Sequence, residues 1–76
     1  MPRLKCTFRG FIAIIEANGF ALHRHDGGSH RRYRAERDGS VHFVDVAAHN
    51  LGDEIKSGTL NAMIRQSGLP KKLFRK

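Results

Sequence analysis

Gly27-Gly28-Ser29-His30-Arg31-Arg32-Tyr33-Arg34 is a glycine turn that runs directly into a polar strand, and the elements on either side take their places from it. Paired glycines supply the left-handed backbone of a tight turn and let the main chain pass close to a ligand. After the turn, a period of two sets His30, Arg32 and Arg34 on one side and Tyr33 on the other. With Tyr33 inward it packs under helices; a competing register with Tyr33 outward makes it a base-stacking platform. The residue types also carry chemistry. Histidine moves protons near neutral pH, and arginine offers phosphate a planar fork of donors. The stretch therefore predicts a hairpin and, on it, a phosphate-backbone substrate acted on by one histidine.

Upstream of the turn, Phe20 and Leu22 alternate with Ala21, His23 and His25 until Asp26, the pattern of a first strand. Downstream, a second strand from Ser29 to about Glu36 is closed by Arg37-Asp38-Gly39-Ser40, and Val41 to Val46 form a third strand rich in β-branched and aromatic residues. The middle of the chain is thus a three-stranded antiparallel meander.

Helical spacing flanks it on both sides. Phe8, Phe11, Ile12 and Ile15 recur at i, i+3, i+4, i+7, with Thr7 as N-cap, Asn18-Gly19 as the stop and Phe20 folding back on the last turn. Gly10 weakens this helix but allows close packing on a sheet. A second helix begins at about Gly58 or Thr59, buries Leu60, Met63 and Ile64, and stops at Ser67-Gly68, with Leu69 packing and Pro70 beyond. Residues 47–57 lack periodicity and read as a surface loop with His49 near its start. The tail, Lys71 to Lys76, reads as a frayed turn. The order is α-β-β-β-α in one α+β domain, 1–76, with flexible basic ends at about 1–5 and 71–76. Both helices are expected on one face of the sheet, leaving the other open.

With 76 residues and 39% hydrophobic content there is room for one small core, burying only ~60% of the unfolded surface. Fourteen Lys and Arg against 7 Asp and Glu give a net charge of +7, which attracts polyanions, nucleic acid foremost. Five arginines, at 24, 31, 32, 34 and 37, crowd the central hairpin as a phosphate-binding surface would. The single cysteine, Cys6, has no second cysteine for an internal disulfide and fits a reducing, cytoplasmic setting. Phe11 to Ile15, the longest apolar run, is too short for a membrane span or a signal peptide.

Two candidate centres compete. His23, His25, Asp26 and His30 offer ligand types for a metal, His23 and His25 on the same side of a strand. Five histidines in a short basic chain produce such spacings by chance, however, and His23 and His25 read as solvated strand residues. His30 is the stronger candidate, because Gly28 and Ser29 place backbone and hydroxyl donors beside it while Arg31, Arg32 and Arg34 follow. Ser29 as a nucleophile lacks an Asp-oriented histidine and an oxyanion motif.

Gly28-Ser29-His30 after a helix and a strand, Val44-x-Val46 leading to His49, and Gly58-Thr59-Leu60-Asn61-Ala62-Met63-Ile64-Arg65-Gln66-Ser67-Gly68-Leu69 together closely resemble the HicA toxins, also called YcfA-like proteins. The resemblance covers about residues 7 to 69. It implies a double-stranded-RNA-binding-like α-β-β-β-α fold, an mRNA-cleaving toxin of a type II toxin–antitoxin system, and a HicB-type antitoxin that neutralises it. The matching triplet carries the family's catalytic histidine onto His30. The chain departs from the family where Ala47 and Ala48, rather than a proline, precede His49, and where the loop up to Gly58 is slightly longer.

The expected activity is a metal-independent endoribonuclease without cofactor. His30 takes the proton of a ribose 2′-hydroxyl, while Gly28, Ser29, Arg31, Arg32 and Arg34 bind the substrate. A non-catalytic RNA-binding module on the same sheet face is the alternative. The expected partners are RNA and an antitoxin whose acidic groups meet Arg24, Arg31 or Arg34; the toxin alone is expected to be a monomer.

Overall fold

The computed structural model describes residues 5–75 and has the order α1 (Phe8–Ala17), β1 (Ala21–His25), β2 (His30–Arg37), β3 (Ser40–Ala47), α2 (Ser57–Ser67), with a 3₁₀ turn at Lys71–Phe74. The remaining positions, 1–4 and 76, lie outside the described residues, and with them most of the basic N-terminal end. The three strands form one antiparallel sheet in the order β1-β2-β3, as an α-β-β-β-α fold requires. No helix among the described residues is long and apolar enough to cross a membrane.

The termini of α1 follow from local chemistry. Thr7 holds an extended backbone and its hydroxyl accepts a hydrogen bond from the Gly10 amide at 3.0 Å, satisfying one of the unpaired N–H groups of the first turn. Two more are met by the supposed surface loop, since Phe8 donates to the Asp53 carbonyl at 3.0 Å and Arg9 to Leu51 at 2.8 Å. That segment is anchored rather than draped: Ile55 and Ala48 are buried, and the Ile55 amide donates to Cys6 at 2.8 Å. Gly10 proves to serve the cap and not a sheet contact, because a Cβ there would lie 3.2 Å from the Thr7 hydroxyl. At the other end the Phe20 amide donates to Ile15 at 3.0 Å, and its ring is buried over the last turn.

Asp38 and Gly39, at φ 50° and 78°, make a two-residue turn whose left-handed backbone matches the twist of β2 and β3. It fixes the register from Arg37 opposite Ser40 to His30 opposite Ala47. Tyr33 and Ala35 on β2, with Val44 and Val46 on β3, then face the helices and are buried with Phe11, Ile15, Leu60, Met63 and Ile64. Burial at this level is worth about 1.5–3 kcal/mol for each large side chain.

Three further expectations, on β1 and the tail, fail. Leu22, inward by the strand alternation, lies opposite Tyr33 but is 51% exposed, because the core sits under β2 and β3 and no β1 side chain is buried. His23 and His25 do not share a face, since a register shift between Leu22 and Arg24 pairs Arg24 with Arg32 and His25 with Arg31. The tail docks instead of fraying: Phe74 is buried and stacks on Phe11 with ring centroids 5.1 Å apart.

Arg37, grouped by the sequence with the other hairpin arginines as a phosphate-binding surface, instead has a partner on α2. Its guanidinium donates to the carbonyl of Ser67 at the C-terminus of α2, where the unpaired carbonyls carry negative partial charge. Gly68 follows in the left-handed region at φ 69°, and a Cβ there would lie 2.8 Å from Arg37 Nη2. The position needs glycine for both reasons.

Candidate functional site

His30 opens β2 directly after the turn that the glycines make possible. Gly27 and Gly28 stand at φ 54° and 60°, and a Cβ at either would meet nothing within 4 Å, so their requirement is conformational rather than spatial. The turn is braced from two sides: His25 Nε2 lies 3.2 Å from the Gly28 carbonyl, and the Ala48 amide donates to the Ser29 carbonyl at 3.0 Å. His25, expected to be merely solvated, is thus a brace that donates to the turn when Nε2 carries the proton. The Gly28 and Ser29 amides themselves donate to no other described residue. The imidazole of His30 is exposed and has no hydrogen-bond partner among the described residues.

A cavity of about 330 Å³ opens beside it, lined by Arg24, Asp26, His30, Arg31, Arg32 and Asp45. Of the arginines expected to bind substrate, Arg31 and Arg32 line this space with His30. Arg34 does not; it stands opposite Phe43, further along the strand, and pairs with Glu36 at 3.5 Å. Arg24 enters in its place through the irregularity in β1.

Carboxylates already attend two of these cations. Arg24 Nε meets Asp26 Oδ1 at 2.7 Å, and Arg32 Nε meets Asp45 Oδ1 at 3.1 Å. Both pairs are exposed and contribute about 0–1 kcal/mol each to stability, so they cost little to exchange for another anion. Each is made through Nε, and the terminal nitrogens of Arg24 and Arg32 donate to no other described residue. Arg31, half-buried, has no carboxylate within ion-pair distance among the described residues and is the uncompensated cation of the cavity. It also acts on Tyr33: burial foremost, and then Glu16, push the Tyr33 hydroxyl above the ordinary tyrosine value, while Arg31 opposes the shift. Tyr33, 4% exposed, lies under the helices and is not the stacking platform of the competing register.

Sequence reasoning missed Asp45 and Phe43, and it weighed Asp26 as a metal ligand when the structure makes it the counter-ion of Arg24. The first two were in reach, since counting outward from the Asp38-Gly39 turn sets Asp45 against Arg32 and Phe43 against Arg34 on the open face. There the Arg32 guanidinium carbon lies 4.7 Å from the Phe43 ring centroid, and the His23 ring meets Phe43 edge-on at 5.5 Å. His23 is therefore neither a lone solvated residue nor grouped with His25, and among the described residues no three His, Cys, Asp or Glu side chains gather where they could hold a metal ion. His49 is exposed, next to the Ala48 amide that ties β3 to the turn.

Set beside known proteins, residues 8–69 match the family model described as the HicA toxin of bacterial toxin–antitoxin systems. No curated protein and no solved structure matches the chain.

Proposed function

The chain belongs to the HicA toxin family and so is a toxin of a toxin–antitoxin system, and from that premise we propose that it is an endoribonuclease cutting mRNA at His30. The observation that carries this reading is an exposed, unpartnered imidazole on the rim of a cavity whose other walls are three arginines and two carboxylates. In the proposed reaction His30 accepts the proton of a ribose 2′-hydroxyl as that oxygen bonds to the adjacent phosphorus. The bond from phosphorus to the 5′-oxygen breaks, that oxygen takes a proton from water and His30 returns its proton to solvent, leaving a 2′,3′-cyclic phosphate and a 5′-hydroxyl end. Charge that builds on the non-bridging oxygens meets Arg31, then the terminal nitrogens of Arg32 and Arg24, and the Gly28 and Ser29 amides supply neutral donors.

No step in this scheme calls on a metal or cofactor, and the setting is the cytoplasm. A HicB-type antitoxin is the partner, its acidic groups covering the same cavity. The test incubates the purified toxin with a defined RNA in the presence of chelator, alongside the same strand carrying deoxyribose at the cut nucleotide. Cutting of the ribose strand alone supports the reading. RNA bound firmly but left whole would instead make the chain a non-catalytic binding module.

A further inference from the structure

The open face of the sheet carries an assembly that proton transfer at His30 does not use. Phe43 sits there with the Arg32 guanidinium over its face at 4.7 Å and the His23 ring at its edge, 5.5 Å away. Cross-strand pairs of this sort steady any sheet, but two features go further. First, Arg32 has two partners, Asp45 at Nε and the Phe43 ring under its guanidinium, yet 47% of its side chain remains exposed, so the guanidinium over the ring keeps an open outer side. Second, the irregularity in β1 turns two consecutive side chains to this face, Arg24 into the cavity and His23 onto Phe43. Bulges beside sites commonly re-aim side chains in this way.

We propose that Phe43, with Arg32 on its face and His23 at its edge, is a stacking site for one unpaired base of single-stranded RNA. This rests on the reading that the His30 cavity takes RNA. Stacking on aromatic rings and guanidinium planes is how proteins hold splayed bases, and the surrounding arginines hold the phosphates of the same strand. The chemistry selects the form of the RNA. A base paired within a duplex has both faces covered by its neighbours, so only a base splayed out of a loop or a single strand offers a free face to this stack.

The experiment uses the full chain carrying His30→Ala, which leaves RNA uncut, and a strand whose cut position has first been mapped with the parent. Fluorescence anisotropy measures affinity for that strand, for copies made abasic at either neighbour of the cut nucleotide, and for the same sequence as a duplex. Adding Phe43→Leu is expected to weaken binding of the intact strand about tenfold or more. At one of the two abasic positions that loss should vanish, and the duplex affinity should not change. Equal affinity of a folded Phe43→Leu protein for the intact strand, or a loss that persists at both abasic positions, overturns the stacking site. If the parent cuts RNA and Phe43→Leu cuts and binds it equally well, only the stacking site falls. If the parent neither binds nor cuts RNA, the reading of the cavity falls and takes the stacking site with it.

Discussion

Arg37 donates a hydrogen bond to the carbonyl of Ser67, joining the end of β2 to the C-terminus of α2. Ser67 is itself buried, its hydroxyl donating to Ile64 at 2.6 Å and accepting from Leu69 at 3.1 Å, so the contact closes a local polar network. Removing a charged donor from such a place leaves a carbonyl unmet and costs about 1–3 kcal/mol. Arg37→Ala is accordingly expected to lower the melting temperature while leaving the salt dependence of RNA binding as it was. A flattened salt dependence would return Arg37 to the substrate surface.

His30→Ala should abolish most cleavage and spare the fold. The side chain is exposed and makes no hydrogen bond among the described residues, so little packing is lost, whereas removal of a general base lowers rates by ~10²–10⁴-fold. His49→Ala is expected to be milder. Cleavage rates and melting curves on the same preparations decide it, and a His30→Ala protein as fast as the parent ends the proposed mechanism.

Arg31 and Arg34 should differ, although they lie on the same strand. Arg31 lines the cavity without a counter-ion among the described residues, while Arg34 lies outside it beside Glu36. Each lost phosphate contact reduces the log–log salt slope by ~0.7 on single-stranded RNA. Arg31→Ala is expected to show that reduction and Arg34→Ala to show almost none. Binding isotherms across a series of salt concentrations give both slopes.

Gly68→Ala should destabilise the domain by about 1–2 kcal/mol or more, since an L-residue in the left-handed region carries that cost before any crowding. The new methyl also meets Arg37 Nη2 at 2.8 Å and His42 at 3.1 Å. Denaturant titration measures it. Gly58→Ala, where a Cβ meets nothing within 4 Å, is the control expected to be neutral or better.

Tyr33 should set part of the alkaline limit. Its folded-state value is raised above the ordinary 10.0, chiefly by burial. Above about pH 10 the unfolded chain loses this proton while the folded chain keeps it, so the native state binds more protons and stability falls as pH rises. Tyr33→Phe removes that contribution, and its melting temperature should drop less than the parent's between about pH 9 and pH 11. Parallel declines would show that Tyr33 is not the group responsible.

Most of the architecture was legible because two-residue alternation and helical spacing are local signals. Asp38-Gly39 fixes the register, and Tyr33, Ala35, Val44 and Val46 then fall on the helix side. The position of His30 was legible for the same reason, at the start of β2 after a glycine turn. What escaped depends on the third dimension. Nothing in Ala21–His25 announces the irregularity that separates His23 from His25 and swings Arg24 into the cavity. The exposure of Leu22 reflects a core that sits under β2 and β3, which a strand pattern cannot contain. Arg37 and Arg34 look alike in the sequence, and only the position of Ser67 tells the helix-capping arginine from the others.

The ring of Phe74 against Phe11 bears on when this molecule can exist as a folded object. α1 precedes the sheet in the chain, yet the groups that complete its surroundings, Leu51, Asp53, Ile55 and Phe74, all lie beyond the sheet. A helix of that length has little stability by itself in water. Closure of its surroundings must therefore wait for segments distant in the sequence. The helix keeps its place only once those later segments have docked on it, so loss of the Phe74 ring is felt at α1, far from it in the sequence.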